Sequence, residues 1–130
     1  GFSFAAGLMG NCSGFGVDLE HSERTLSERV AERVVSRVLN EDEKALGLKF
    51  LEYWVIKEAC YKANPDTAPD ILDTHREEGR PVQMSWTHRL ISWDSKRRQA
   101  EVRSEGSPQL KFSAKCVEVE GWLCAFAIAR

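Results

Sequence analysis

At 130 residues the chain is long enough for one compact domain, spanning 1–130, and too short for two ordinary ones. With 42% hydrophobic and 29% charged residues, its composition argues for a folded protein and against disorder. A formal net charge of −2 gives no global drive toward nucleic acid, and no apolar run reaches membrane-spanning length. The stretch from Gly1 to Met9 is mildly apolar but lacks the basic start of a secretory signal, and with no initiator methionine it reads as a trimmed segment. Cys12, Cys60, Cys116 and Cys124 form no C-x₂-C pair and read as reduced, mostly buried thiols of a cytoplasmic protein. His21, His75 and His88 are scattered and suggest no ligand set.

Residues 11–20 read as a short strand ending in an acidic motif. Leu26, Val30, Val34 and Val38 then recur every fourth residue, with Ala31, Val35 and Leu39 widening the stripe into an amphipathic helix. Asn40, followed by Glu43, forms a capping box for a short helix over 41–46. Gly47 breaks that helix, and a third runs from Lys49 to Ala63, ended by Asn64-Pro65 because the residue before proline is driven out of the helical region.

The turn-rich stretch from Asp66 to Pro81 reads as a loop at the edge of the site. Beyond it the periodicity turns to alternation. Strands are expected at Val82–Trp86, Leu90–Trp93 and Gln99–Arg103, followed by a hairpin of 110–119 with 122–128 across Glu120-Gly121. One strand, then helices, then an antiparallel meander is an α+β arrangement.

Two motifs carry chemistry. Gly16-Val17-Asp18-Leu19-Glu20 puts two carboxylates on one face of a strand, and Trp54-Val55-Ile56-Lys57-Glu58-Ala59-Cys60-Tyr61-Lys62 puts a carboxylate and a lysine on one face of a helix. Alone, the first reads as a solvated strand end and the second as surface i,i+4 pairing. Together, three clustered carboxylates call for a hard cation such as Mg²⁺, and the lysine for a phosphate beside it.

With these motifs in this order and separation, the sequence resembles the 4′-phosphopantetheinyl transferases, whose hallmarks are a G-[IV]-D-[IL]-E strand end and a [WF]-x-x-K-E-[AS]-x-x-K helix. Asn40-Glu41-Asp42-Glu43 looks like the acidic segment that precedes the family's third helix. The resemblance implies that Asp18, Glu20 and Glu58 surround Mg²⁺, that Lys62 and Lys57 face the phosphates of coenzyme A, and that Glu58 and Lys62 are catalytic. The implied reaction moves the 4′-phosphopantetheine arm onto a serine of an acyl or peptidyl carrier protein and releases 3′,5′-ADP. The carrier would serve fatty acid, polyketide or nonribosomal peptide assembly. Glu58 or a metal-bound water would be the base. Arg29, Arg33 and Arg37 form either a basic strip for an acidic carrier protein or an ordinary solvated face, since Glu28 and Glu32 interleave with them.

Length matches the small carrier-protein synthases, which form homotrimers. The D-x-E spacing and Trp54 match the surfactin-synthetase-activating type, which is about twice as long and folds as two similar halves. Ala6 stands about where that longer type has a histidine for coenzyme A. A homodimer or homotrimer supplying the second wall is therefore expected; a truncated half or a degenerate enzyme would also account for its absence from this sequence. The rival functions are a silent binder of coenzyme A or carrier protein, and a metal-dependent phosphodiesterase; the acidic net charge weighs against nucleic acid as a partner.

Overall fold

The computed structural model describes residues 12–24, 28–67 and 87–130, without the side chains of Glu28, Val30, Ala31 and Val34. Its elements are β1 (Gly14–His21), α1 (Glu28–Val38), α2 (Glu41–Lys44), α3 (Phe50–Ala63), β2 (His88–Asp94), β3 (Gln99–Ser104), β4 (Phe112–Val119) and β5 (Trp122–Ala129). The strands form one antiparallel sheet in the order β1-β5-β4-β3-β2, so the meander closes by bringing β5 back beside β1. This is the α+β arrangement expected. The expected strand at Val82–Trp86, the loop beyond Thr67, Leu26 and Ala6 lie outside the described residues.

Local chemistry sets the element ends. Val38 and Leu39 are buried and Val35 partly so, which is the described part of the α1 stripe. Asn40 caps α2 by a reciprocal box: its Oδ1 accepts from Glu43 N at 2.8 Å, while Glu43 Oε1 accepts from Asn40 N at 3.2 Å. α2 stops at Lys44, short of the expected 46, and Gly47 turns the chain at φ +81°. α3 ends before Pro65 with Asn64 extended at ψ 115°. In the β4–β5 turn, Glu120 and Gly121 have φ 49° and 81°, both left-handed as a two-residue hairpin loop requires.

α3 is buried on most sides, with Tyr53, Val55, Ile56, Ala59, Cys60, Tyr61 and Ala63 all inside. It lies across β1, β5, β4 and β2. The sheet face beneath it is paved with small residues in register: Gly16 pairs with Ala127, Ala127 with Ala114, and Ala114 with Ala100. Asp18 and Cys116 flank Ala125 in the next row. The approach is closest at β1. A Cβ at Gly14 would stand 1.8 Å from the Ala63 carbonyl oxygen, and one at Gly16 2.1 Å from that of Ala59. Glycine is thus required here by contact with helix backbone.

A buried ionic hub ties the helices to the sheet. Glu43 is 0% exposed and Lys57 1%, paired at 2.7 Å through Oε2. The same carboxylate accepts from Leu90 N at 3.1 Å and from Arg89 at 3.3 Å, while Lys57 Nζ also donates to the Val38 carbonyl at 2.7 Å. The Tyr53 hydroxyl donates to the Glu43 carbonyl at 2.6 Å. Burial pulls the Lys57 ammonium below its ordinary pKa, opposed chiefly by Glu43.

His88 is buried between the rings of Tyr61 and Phe112 and sits 3.2 Å from Asn64 Nδ2. Cys60, Cys116 and Cys124 are buried free thiols, and burial pushes Cys116 up to about 12, so they behave as small hydrophobes. Among the described residues no helix is long and apolar enough to cross a membrane.

Gly16→Ala should cost about 3 kcal/mol, because backbone on both sides must yield. A urea midpoint lowered at unchanged slope would show it; a midpoint equal to that of the unsubstituted chain would mean that the β1–α3 contact is not as tight as described.

Candidate active site

The seam between β1 and α3 carries the motif residues. Gly14, Gly16, Asp18 and Glu20 alternate onto the face that meets α3, while α3 presents Glu58 and Lys62 one turn apart. Because Gly16 lets the two backbones touch, Lys62 reaches across to β1. Its Nζ donates to Asp18 Oδ1 at 2.8 Å and to the Val17 carbonyl at 3.2 Å. Glu20, two residues further along the same face, takes Arg24 NH1 at 2.8 Å.

Asp18 is the electrostatic anomaly. Its second oxygen, Oδ2, is sealed from solvent and has no hydrogen-bond partner among the described residues. Burial raises its pKa above the ordinary 3.8; Lys62 lowers it by hydrogen bond and charge, and Glu20 adds a smaller upward push. Oε1 of Glu58 is likewise removed from solvent. Buried carboxylate oxygen of this kind suits a hard divalent cation. Among the described residues, however, no three His, Cys, Asp or Glu side chains stand close enough to enclose a metal. As donor types the three carboxylates suit such a cation, but Asp18 and Glu20 are engaged by Lys62 and Arg24 and the three do not enclose a metal in this arrangement.

Lys57 stands apart from this set. The sequence places it next to Glu58 and toward phosphate, but the helix turns it into the core, where Glu43 and the Val38 carbonyl hold it. Glu43, read from sequence as a cap, is the acid that makes this possible. Arg24 is the cation that sequence reasoning missed, although its i,i+4 spacing from Glu20 was visible.

A cavity of about 440 Å³ opens beside Glu20, lined by Arg24, Lys49, Phe50, Leu51, Arg98 and Leu123 among others. Leu123 is the register partner of Glu20. Arg98 is tied down there: it pairs with Glu52, donates to the Cys116 carbonyl at 3.1 Å and stacks on Trp93 at 5.0 Å.

The family model of the 4′-phosphopantetheinyl transferase superfamily matches residues 14–127, from the first residue of β1 almost to the end of β5. The chain belongs to this superfamily. An acyl carrier protein synthase of Mycobacterium tuberculosis has a similar fold, with a TM-score of 0.56 at 16% identity, covering 92% of this chain and 98% of that one. No curated protein matches. The superfamily match embraces both motif segments of this transferase-like chain, Gly16–Glu20 and Trp54–Lys62.

Asp18→Asn should raise metal-free stability at neutral pH. A carboxyl whose folded pKa lies above 3.8 binds its proton more tightly folded than unfolded, so stability falls as pH rises through the interval above 3.8. The melting temperature in EDTA should therefore be higher for the variant at pH 7, with the gap closing in acid. A lower melting temperature at pH 7 would show that the Lys62 bond outweighs the burial.

Proposed function

We propose that this chain transfers the 4′-phosphopantetheine arm of coenzyme A to a serine hydroxyl of an acyl or peptidyl carrier protein, with Mg²⁺. The observation that carries this reading is the sealed Oδ2 of Asp18, without a hydrogen-bond partner among the described residues, beside Lys62 on the β1–α3 seam of a chain of this superfamily. Asp18, Glu20 and Glu58 would hold Mg²⁺, which when bound supplies positive charge against the pyrophosphate of coenzyme A.

The chain's own groups divide the remaining work. Lys62 is 39% exposed and its partner Asp18 12%, so the ammonium can turn from Asp18 toward phosphate when that carboxylate is taken. In the transfer, the serine oxygen bonds to phosphorus, the bond to the departing 3′,5′-ADP breaks, and the serine proton goes to Glu58 directly or through water. Lys57, saturated inside the core, has no part in phosphate contact in this reading. Arg29, Arg33 and Arg37 are all exposed on α1 and form the proposed dock for an acidic carrier protein.

A second reading, a silent binder of coenzyme A or carrier protein, is favoured by one observation: two of the three carboxylates are held by cations of the chain. One experiment separates the readings. Incubated with coenzyme A, Mg²⁺ and several apo carrier proteins, the chain should add the arm, read as a mass gain. Glu58→Ala should abolish the gain, and Lys62→Ala should raise the KM for coenzyme A about tenfold through loss of a charge-assisted bond. Binding without mass gain by any carrier would select the silent reading.

The sheet face away from α3 supports self-association. Phe15, Val17 and Leu19 of β1 and Phe126 and Ile128 of β5 are only half-buried there, and Val119 is 45% exposed. A homodimer or homotrimer would cover this face. Light scattering should give a multiple of the chain mass, and a monomer at micromolar concentration would sink this part of the reading.

A further inference from the structure

We infer that Arg24 is a built-in counter-ion that competes with a divalent cation for Glu20. This rests on the metal-dependent reading above. The pair is more than a chance surface contact, because the turn that carries Arg24 is pinned at several points. Arg24 N donates to the His21 carbonyl at 3.0 Å, closing the turn straight after β1. Ser22 clamps that turn to the β4–β5 hairpin, both its N–H and its Oγ donating to the Gly121 carbonyl, at 2.8 and 2.7 Å. The backbone thus holds residue 24 within side-chain reach of Glu20 when β1 and β5 are paired.

Arg24 also has somewhere to go. Its side chain is 51% exposed against 19% for Glu20, and it lines the 440 Å³ cavity beside the pair. Lys62, by contrast, keeps a second acceptor in the Val17 carbonyl. A cation approaching Glu20 must displace a monovalent charge from one carboxylate oxygen and then sit near it. Occupancy by Arg24 therefore lowers the apparent affinity by the fraction of time the pair is made. An exposed pair of this spacing is weak, so the penalty is a small multiple and not an exclusion.

The test is calorimetric titration of the full chain with Mn²⁺ alone, free of coenzyme A and carrier protein. Arg24→Gln should bind about fivefold more tightly than the unsubstituted chain. Arg24→Lys, which keeps a cation at the carboxylate, should stay close to it. Lys96→Gln, which removes an equal charge from the exposed β2–β3 turn, should leave the affinity unchanged. Equal affinities for Arg24→Gln and the unsubstituted chain would overturn the inference. Equal tightening by Lys96→Gln would overturn it too, by reducing the effect to net charge. If neither chain binds Mn²⁺, it is the metal reading that falls.

Discussion

Everything at this site depends on one steric fact: the backbone of helix α3 lies against the backbone of strand β1. Only residues without a Cβ allow it, since a methyl at Gly16 would stand 2.1 Å from the Ala59 carbonyl oxygen. The alanines that follow in register across β5, β4 and β3 extend the same low floor beneath the helix. With the two backbones in contact, a side chain as short as aspartate can meet a lysine from the helix. A strand held off by one layer of larger side chains would leave Asp18 and Lys62 too far apart for a 2.8 Å bond. The glycine of the first motif is therefore as much a part of the site as its carboxylates, though it does no chemistry.

The same helix uses its two motif lysines in opposite ways. Lys57 is enclosed, and its charge survives burial because Glu43 and the Val38 carbonyl saturate it. Removing either member of such a pair would strand a buried charge at a cost of about 3–5 kcal/mol, so the hub locks α2 and α3 to β2. Lys62, five residues on, lies at the rim with one strong partner and open water beside it. A cation that must exchange one anion for another has to be like Lys62; a cation that must never move has to be like Lys57.

Features decided by neighbours in sequence were legible from sequence. The Asn40–Glu43 box, the stop at Asn64-Pro65 and the Glu120-Gly121 hairpin each rest on backbone chemistry within a few residues. The acidic strand end and the lysine helix were legible as well, because their spacing alone puts the right groups on one face. Features decided by the third dimension were not. Nothing near Lys57 in sequence announces that its partner is Glu43, fourteen positions earlier, reached only when α2 folds back on α3. Nor does alternation in β1 reveal that the Gly16 face meets helix backbone and not side chains. The expected strand at Val82–Trp86 and the comparison at Ala6 fall outside the described residues.

The sheet, finally, separates two kinds of unfinished surface. On the α3 side the incompleteness is ionic: Asp18 has one oxygen sealed and the other held by Lys62, and Glu20 nearby is held by Arg24. On the other side it is apolar, a half-buried field of phenylalanine, valine and isoleucine. Burial raises the proton affinity of Asp18, a standing electrostatic cost that a bound cation would relieve. A fold optimised only for its own stability would replace that carboxylate with a neutral side chain. Under the proposed function, a carboxylate kept there beside a partly exposed lysine is what a site for a charged ligand would require.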